Sequence, residues 1–184
     1  MSLQEFKSNL LGGGARPNQY RAEITFPAIA QNGTEAGRRI QFLCASTTLP
    51  SSDLGVIPVF YRGRQVPLAG ERTFAPWAVT ILNDTDFVIR NAFESWQNAI
   101  NDLQFNTGMT SPLIYTSDMS IHQMGRNGET LKSYKFVGAF PTEVSSIPLS
   151  FASNDQVEEF NVQFVYTHFE TDFKGGSVGL AVNI

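Results

Sequence analysis

The 184 residues carry 13 lysines and arginines against 17 acids, a formal net charge of −4, and include fifteen phenylalanines, two tryptophans and five tyrosines. That length suits one domain with a full core, the aromatic content tilts the chain toward strands, and the charge argues against a protein that grips nucleic acid by its phosphates, which needs a basic surplus on one face. Cys44 is the only cysteine, which excludes an intrachain disulfide and a cysteine-built zinc cage.

In chain order, Leu3, Phe6, Leu10 and Leu11 make a short apolar arm with the makings of a helical turn, followed by the hinge Gly12-Gly13-Gly14. No apolar run there is long enough for a signal peptide and no later stretch approaches a membrane span, so a chain made and folded in a cytoplasm is expected. Asn32-Gly33-Thr34 formally matches a glycosylation acceptor and reads as a turn. From Tyr20, strict alternation of Tyr20, Ala22, Ile24 and Phe26 with Arg21, Glu23 and Thr25 predicts a half-buried strand. Ile40, Phe42 and Cys44 against Arg39 and Gln41 repeat the pattern and predict its hairpin partner, with Cys44 a buried small hydrophobe rather than a reactive thiol. Trp77, Val79 and Ile81 supply a third strand.

Between these last two strands lies an arm that is both apolar and cationic. Val56, Ile57, Val59, Phe60, Val66 and Leu68 form a loop-like run broken by Gly55, Pro58, Gly63, Pro67 and Gly70, with Arg62, Arg64 and Arg72 beside them. An oily segment of this size is hard to satisfy in a monomer and usually covers something.

Asn83-Asp84-Thr85-Asp86 reads as a helix start, its acids and hydroxyl suited to the unpaired first-turn N–H groups. The stripe Ile89, Phe93, Trp96 and Ile100 then predicts a helix over 85–102 that packs on a sheet, with Arg90, Glu94, Gln97 and Asn101 turned away. Residues 103–114 lack a period. Asn127-Gly128 is a tight-turn signal; before it Met119, Ile121 and Gln123 share a face, and after it Tyr134, Phe136, Gly138 and Phe140 do so. Phe160, Val162, Phe164 and Tyr166 mark the last strand, expected to close the sheet. The chain thus reads as mainly β: an antiparallel β-sandwich or barrel with one flanking α-helix at about 85–102 and a long interlocking loop or hairpin at about 54–70. Residues 1–14 form the arm and hinge, 15–173 a single β domain and 174–184 a flexible tail.

Chemistry is thin. His122 and His168 fall on different strands outside any metal-ligand motif, and no serine elbow, Walker loop or dinucleotide fingerprint is present. Asp84 and Asp86 are accounted for by the helix start, and Glu158 with Glu159 by a solvated strand entry. No enzyme and no cofactor is therefore read from these residues. The arginines of the arm fit acids on a neighbouring subunit better than phosphates, given the acidic whole.

From Ala15 to about Phe173 the chain resembles the tail tube proteins of contractile-tailed, T-even-like bacteriophages (the myovirus type). The resemblance rests on Ala15-Arg16-Pro17-Asn18, on Phe42, Cys44, Ala45 and Thr48-Leu49-Pro50, and on Ile57-Pro58-Val59 before Arg62 and Arg64. It continues through Ala69-Gly70-Glu71-Arg72-Thr73-Phe74, Trp77, Val79-Thr80 and Asn83-Asp84, then Phe93, Trp96 and Gln97, Pro141-Thr142 with Val144, and the strand from Phe160 to Tyr166. The triple glycine and the tail after Phe173 depart from the family pattern.

The resemblance implies a structural virion protein assembled in the host cytoplasm. Its subunits would form homo-hexameric rings stacked into a rigid tube inside a sheath, meeting baseplate and tail terminator proteins at the ends. Tape measure protein and then double-stranded DNA in transit, without specific binding, would occupy the lumen. The arm is the expected interlock, with Ile57, Val59, Phe60, Val66 and Leu68 buried on a neighbour, Arg62 and Arg64 fixing register and Arg72 also at the subunit interface. A weakly acidic lumen wall would let DNA slide. The same architecture serves phage-tail-like bacteriocins, injection particles and secretion systems, and a small-molecule-binding β-barrel or an enzyme on one is the rival of another class.

Overall fold

The computed structural model describes residues 2–10 and 14–172; the predicted tail and two glycines of the hinge lie outside the described residues. The apolar arm is a short helix, α1 (Leu3–Asn9), capped by Ser2 and Glu5 in reciprocal hydrogen bonds, with no residue buried.

Two antiparallel sheets share one long strand. The first sheet joins β1 (Tyr20–Ile24), β6 (Ser117–Met124), β7 (Thr130–Val144) and β9 (His168–Thr171). The second joins β2 (Cys44–Thr47), β5 (Trp77–Leu82), β8 (Glu159–Val165) and the end of β7. β7 changes partners at Gly138, whose φ of +64° and N–H donated to Asp118 Oδ1 mark a bulge. A Cβ there would stand 3.1 Å from Thr167 Oγ1, so the bend favours glycine. The bulge moves Phe140 out of register, and Phe136, Ala139 and Pro141 take the buried positions instead.

Between the sheets lies the aromatic core. Trp77 stacks on Phe136 with ring centroids 4.3 Å apart, Phe164 packs on both Trp77 and Phe93, and Phe26 bridges Phe93 and Trp96. Polar tips find acceptors: Trp77 Nε1 donates to Thr48 O, Trp96 Nε1 to Tyr115 O and Tyr166 Oη to Ala75 O. The strand faces predicted around Tyr20, Trp77, Met119 and Phe160 are the observed ones. β8, however, lies inside its sheet between β5 and β7 rather than closing it, and β1 and β2 hold the edges.

One predicted strand is a helix. Residues 33–43 form α2 (Gly33–Leu43), which buries Ala36 and Ile40 and leaves Phe42 86% exposed. Three alternating residues were too short a run to separate the two periods, and Ala36 and Ile40 at i, i+4 belong to a helix. Glu35 reinforces it with ion pairs to Arg38 and Arg39. The hairpin partner expected for β1 is consequently absent, and β6 takes that place. Gly33 and Gly37 seat the helix: added Cβ atoms would lie 2.6 Å from Phe26 Cβ and 2.9 Å from Ile24 O.

The flanking helix is α3 (Val88–Ile100), with Ile89, Phe93 and Trp96 fully buried as its stripe requires. Its start differs from expectation: Phe87, at φ +53°, precedes it and no side chain caps it. Asp84 instead accepts from Arg39 Nη1 at 2.7 Å, with Asp86 beside the same guanidinium at 3.5 Å, tying α2 to the approach of α3. A single turn, α4 (Pro112–Tyr115), fills the stretch without a period. Cys44 is half-buried, and burial pushes its thiol up to about 11, which keeps it protonated and inert at neutral pH.

Candidate assembly surfaces

The arm is an ordered ribbon rather than a loop. β3 (Ser52–Tyr61) and β4 (Arg64–Phe74) pair antiparallel and touch neither of the other sheets through backbone bonds. Arg62 and Gly63 make its two-residue turn, with φ of +46° and +78°, the combination that matches strand twist. Every residue from 53 to 69 is exposed. At the base a bulge sets Gly55 against Gly70, and a Cβ on Gly70 would lie 3.0 Å from the Gly55 backbone.

Pairing across the ribbon sorts the expected interface residues. Ile57 faces Leu68, Val59 faces Val66 and Tyr61 faces Arg64, so these six share one face. Phe60 falls on the other face with Val56, Pro58, Pro67 and Ala69; Arg62 stands at the tip, and Arg72 at the base, where its Nη1 donates to Ser52 Oγ. Both faces are therefore apolar, and Tyr61 joins the residues that the sequence pattern singles out. Pro58 stands directly opposite Pro67. Counting from the closing pair Tyr61–Arg64, this is a non-hydrogen-bonded pair, so the two ring nitrogens point out along both edges where a further strand would need N–H donors. The ribbon is built to be covered on its faces and refused at its edges.

The outward faces of the two sheets differ in charge. β2, β5, β8 and the 140–144 end of β7 contain no lysine or arginine. Their outward side chains form a short polar ladder: Ser46 Oγ donates to Thr80 Oγ1 at 2.9 Å, Thr80 Oγ1 to Asn161 Oδ1 at 2.7 Å, and the Asn161 N–H to Ser145 Oγ at 2.8 Å. Gln163 Nε2 donates to Glu143 Oε2, and the only charges on this face are acidic. By contrast the outward face of β1, β6, β7 and β9 carries Arg21, Glu23, Asp118, His122, Lys135, His168 and Glu170. Lys135 Nζ lies 2.7 Å from Asp118 Oδ2; this bond, then the Gly138 N–H, holds the Asp118 carboxyl below its ordinary range and the lysine above its own. His122 meets Ser133 Oγ and Glu23, and His168 meets Glu170. Among the described residues no group of three or more His, Cys, Asp or Glu is placed to hold a metal, and no helix is long and apolar enough to cross a membrane.

A family model described as phage tail tube protein matches residues 15–172. The tail tube protein gp19 of Enterobacteria phage T4 is 29% identical over 160 residues, covering 86% of this chain and 93% of gp19. The tail tube protein of Serratia phage KSP90 is 27% identical over 173 residues, covering 93% of this chain and 97% of the relative. Among solved structures, the sheath/tube terminator of an extracellular contractile injection system, PVC, shares the fold, with a TM-score of 0.63 at 13% identity over 86% of this chain and 96% of that one. A match that runs from the residues before β1 through β9 leaves no substantial part of the β domain outside it, and this chain belongs to the phage tail tube protein family, in its T-even-like branch from contractile tails.

Proposed function

We propose that the protein closes into hexameric rings that stack as the rigid inner tube of a contractile tail, through which DNA leaves the particle. The observation that carries this reading is the β3–β4 ribbon, which leaves Val56, Ile57, Val59, Phe60, Val66 and Leu68 exposed along both faces over residues 53–69. In the tube, Ile57, Val59, Phe60, Val66 and Leu68 are covered by an adjacent subunit, with Arg62, Arg64 and Arg72 setting register.

Rings also solve an edge problem. Among the described residues β2 pairs only with β5, and the 140–144 end of β7 pairs only with β8, which leaves the second sheet two open edges. Pairing one subunit's β2 side with its neighbour's β7 side closes both. That arrangement turns the cation-free ladder of Ser46, Thr80 and Asn161 toward the bore. Without lysine or arginine there, the many contacts along a tube have no phosphate grip to sum. The mixed-charge face of the first sheet is left for the sheath. Tape measure protein fills the bore before DNA, baseplate and terminator proteins cap the ends, and assembly takes place in the host cytoplasm. Both relatives named above are phage proteins, which favours a phage over a bacteriocin or a secretion machine.

Electron microscopy of the purified protein at rising concentration tests the reading. Rings or hollow tubes are expected; a chain that stays monomeric at every concentration, also with a baseplate to nucleate it, overturns it.

A further inference from the structure

The ribbon needs a receptor, and one surface at the opposite pole of the domain has the complementary chemistry. The segment 145–158, between β7 and β8, folds over the end of β5 and leaves a groove of about 730 Å³ lined by Leu82, Ile147, Pro148, Leu149, Val157 and Glu158. A groove of this size admits several side chains. Leu149 and Val157 are 81% and 65% exposed in it, with Phe151 fully exposed beside them.

Charge matches as well. No lysine or arginine occurs from residue 145 to 159, which holds Asp155, Glu158 and Glu159. Among the described residues none of these three acids has an ion-pair partner; Glu158 only accepts from Asn83 Nδ2 at 2.9 Å. The nearby Arg90 is occupied, at 2.7 Å from Glu94 Oε1 and donating to Ser145 O. The ribbon tip offers the missing cations: among the described residues neither Arg62 nor Arg64 meets a carboxylate.

Topology puts the two surfaces at opposite ends of one strand. β4 runs into β5 at Trp77, so the ribbon leaves from that end, whereas Leu82, paired with Glu159, ends β5 at the groove. Six residues of strand separate them, about 20 Å. A donor surface at one pole and its acceptor at the other repeat head to tail without closing, which is the geometry of an open stack.

We propose that the 145–158 groove receives the β3–β4 ribbon of a second copy of this chain in the next ring. The apolar ribbon sides enter against Leu82, Ile147, Leu149 and Val157 while Arg62 and Arg64 meet Glu158 and Glu159. The proposal rests on the tube reading for its setting, but the contact itself can be tested without tubes.

Two chains test it: a donor-only chain, Leu149→Asp with Val157→Asp, and an acceptor-only chain, Arg62→Glu with Arg64→Glu. All four substitutions are at exposed positions, and unchanged thermal unfolding of each chain checks that the fold is kept. By sedimentation velocity each chain alone stays at one mass, whether monomer or single ring, and the mixture gives a particle of twice that mass. A third chain, Glu158→Lys with Glu159→Lys, gives no doubling with the donor-only chain and doubles once that donor-only chain also carries Arg62→Glu and Arg64→Glu, because both charges are then inverted together. Mixtures that show no doubling, or a charge inversion that is not rescued, overturn the groove as receptor. Wild-type chains that never form tubes while the mixture doubles would defeat the tube reading and leave the contact standing.

Discussion

The hairpin β6–β7 turns through residues 125–129 and hides Met119, Ile121, Phe136 and Ala139 against the second sheet, whereas β3–β4 turns in two residues at Arg62–Gly63 and leaves all of residues 53–69 exposed. Both follow the local grammar of antiparallel strands, with positive φ at the glycine of each turn. The difference lies in what meets their faces. One apolar face is matched within the chain, while two apolar faces with outward prolines on both edges have no match there. Local sequence rules thus build a hairpin, and only long-range complementarity says whether a monomer can satisfy it.

Mutations on the two hairpins should separate along this line. Phe136→Ala empties a fully buried position stacked on Trp77 and should cost about 3–5 kcal/mol in denaturant unfolding, enough to unfold much of the domain. Ile57→Asp or Phe60→Asp should shift unfolding by under about 0.5 kcal/mol, as exposed substitutions do, yet abolish tube assembly in sedimentation. Tubes formed normally by both variants would remove the ribbon as the interlock.

Smaller effects sharpen the contrast. Trp96→Phe leaves the Tyr115 carbonyl without its indole donor and should lose about 1–3 kcal/mol of stability with no effect on an assembly measured below the unfolding temperature. Gly70→Val crowds the Gly55 backbone at the ribbon's base, and is expected to raise the concentration needed for tubes while changing domain stability less than Trp96→Phe. The smallest change concerns pH. Because the folded Asp118 carboxyl titrates below its unfolded value of 3.8, its contribution is complete above that value and is lost as pH falls through the lower folded one. Asp118→Asn should therefore flatten part of the acid-induced fall in melting temperature below pH 4 and leave neutral-pH assembly intact.

Much of the sandwich was legible because its strands alternate over five or more residues, as around Tyr20, Trp77 and Phe160, and because Ile89, Phe93 and Trp96 keep helical spacing. α2 was missed where Ile40, Phe42 and Cys44 mimic alternation; the readable signal was Gly33 with Gly37 and Glu35 with Arg39, both at helical spacing. The acids at 84 and 86 looked like caps because capping and ion pairing call on the same residues, and only tertiary placement brings Arg39 to them. The arm was readable as unsatisfied, but its two faces follow from register, which a loop-like run full of glycine and proline does not reveal. The cation-free sheet was also written in the sequence. It becomes visible only once pairing groups β2, β5, β8 and the end of β7, since no one of these short segments is unusual in lacking lysine.

A helical reconstruction of assembled tubes by cryo-electron microscopy tests most directly whether the ribbon is completed by another copy of the chain. The expected map shows β3–β4 crossing from one ring to the next, its tip arginines against Glu158 and Glu159 of the following subunit and the Ser46, Thr80 and Asn161 ladder on the bore. A map in which the ribbon projects into solvent, with rings joined elsewhere, would contradict the account.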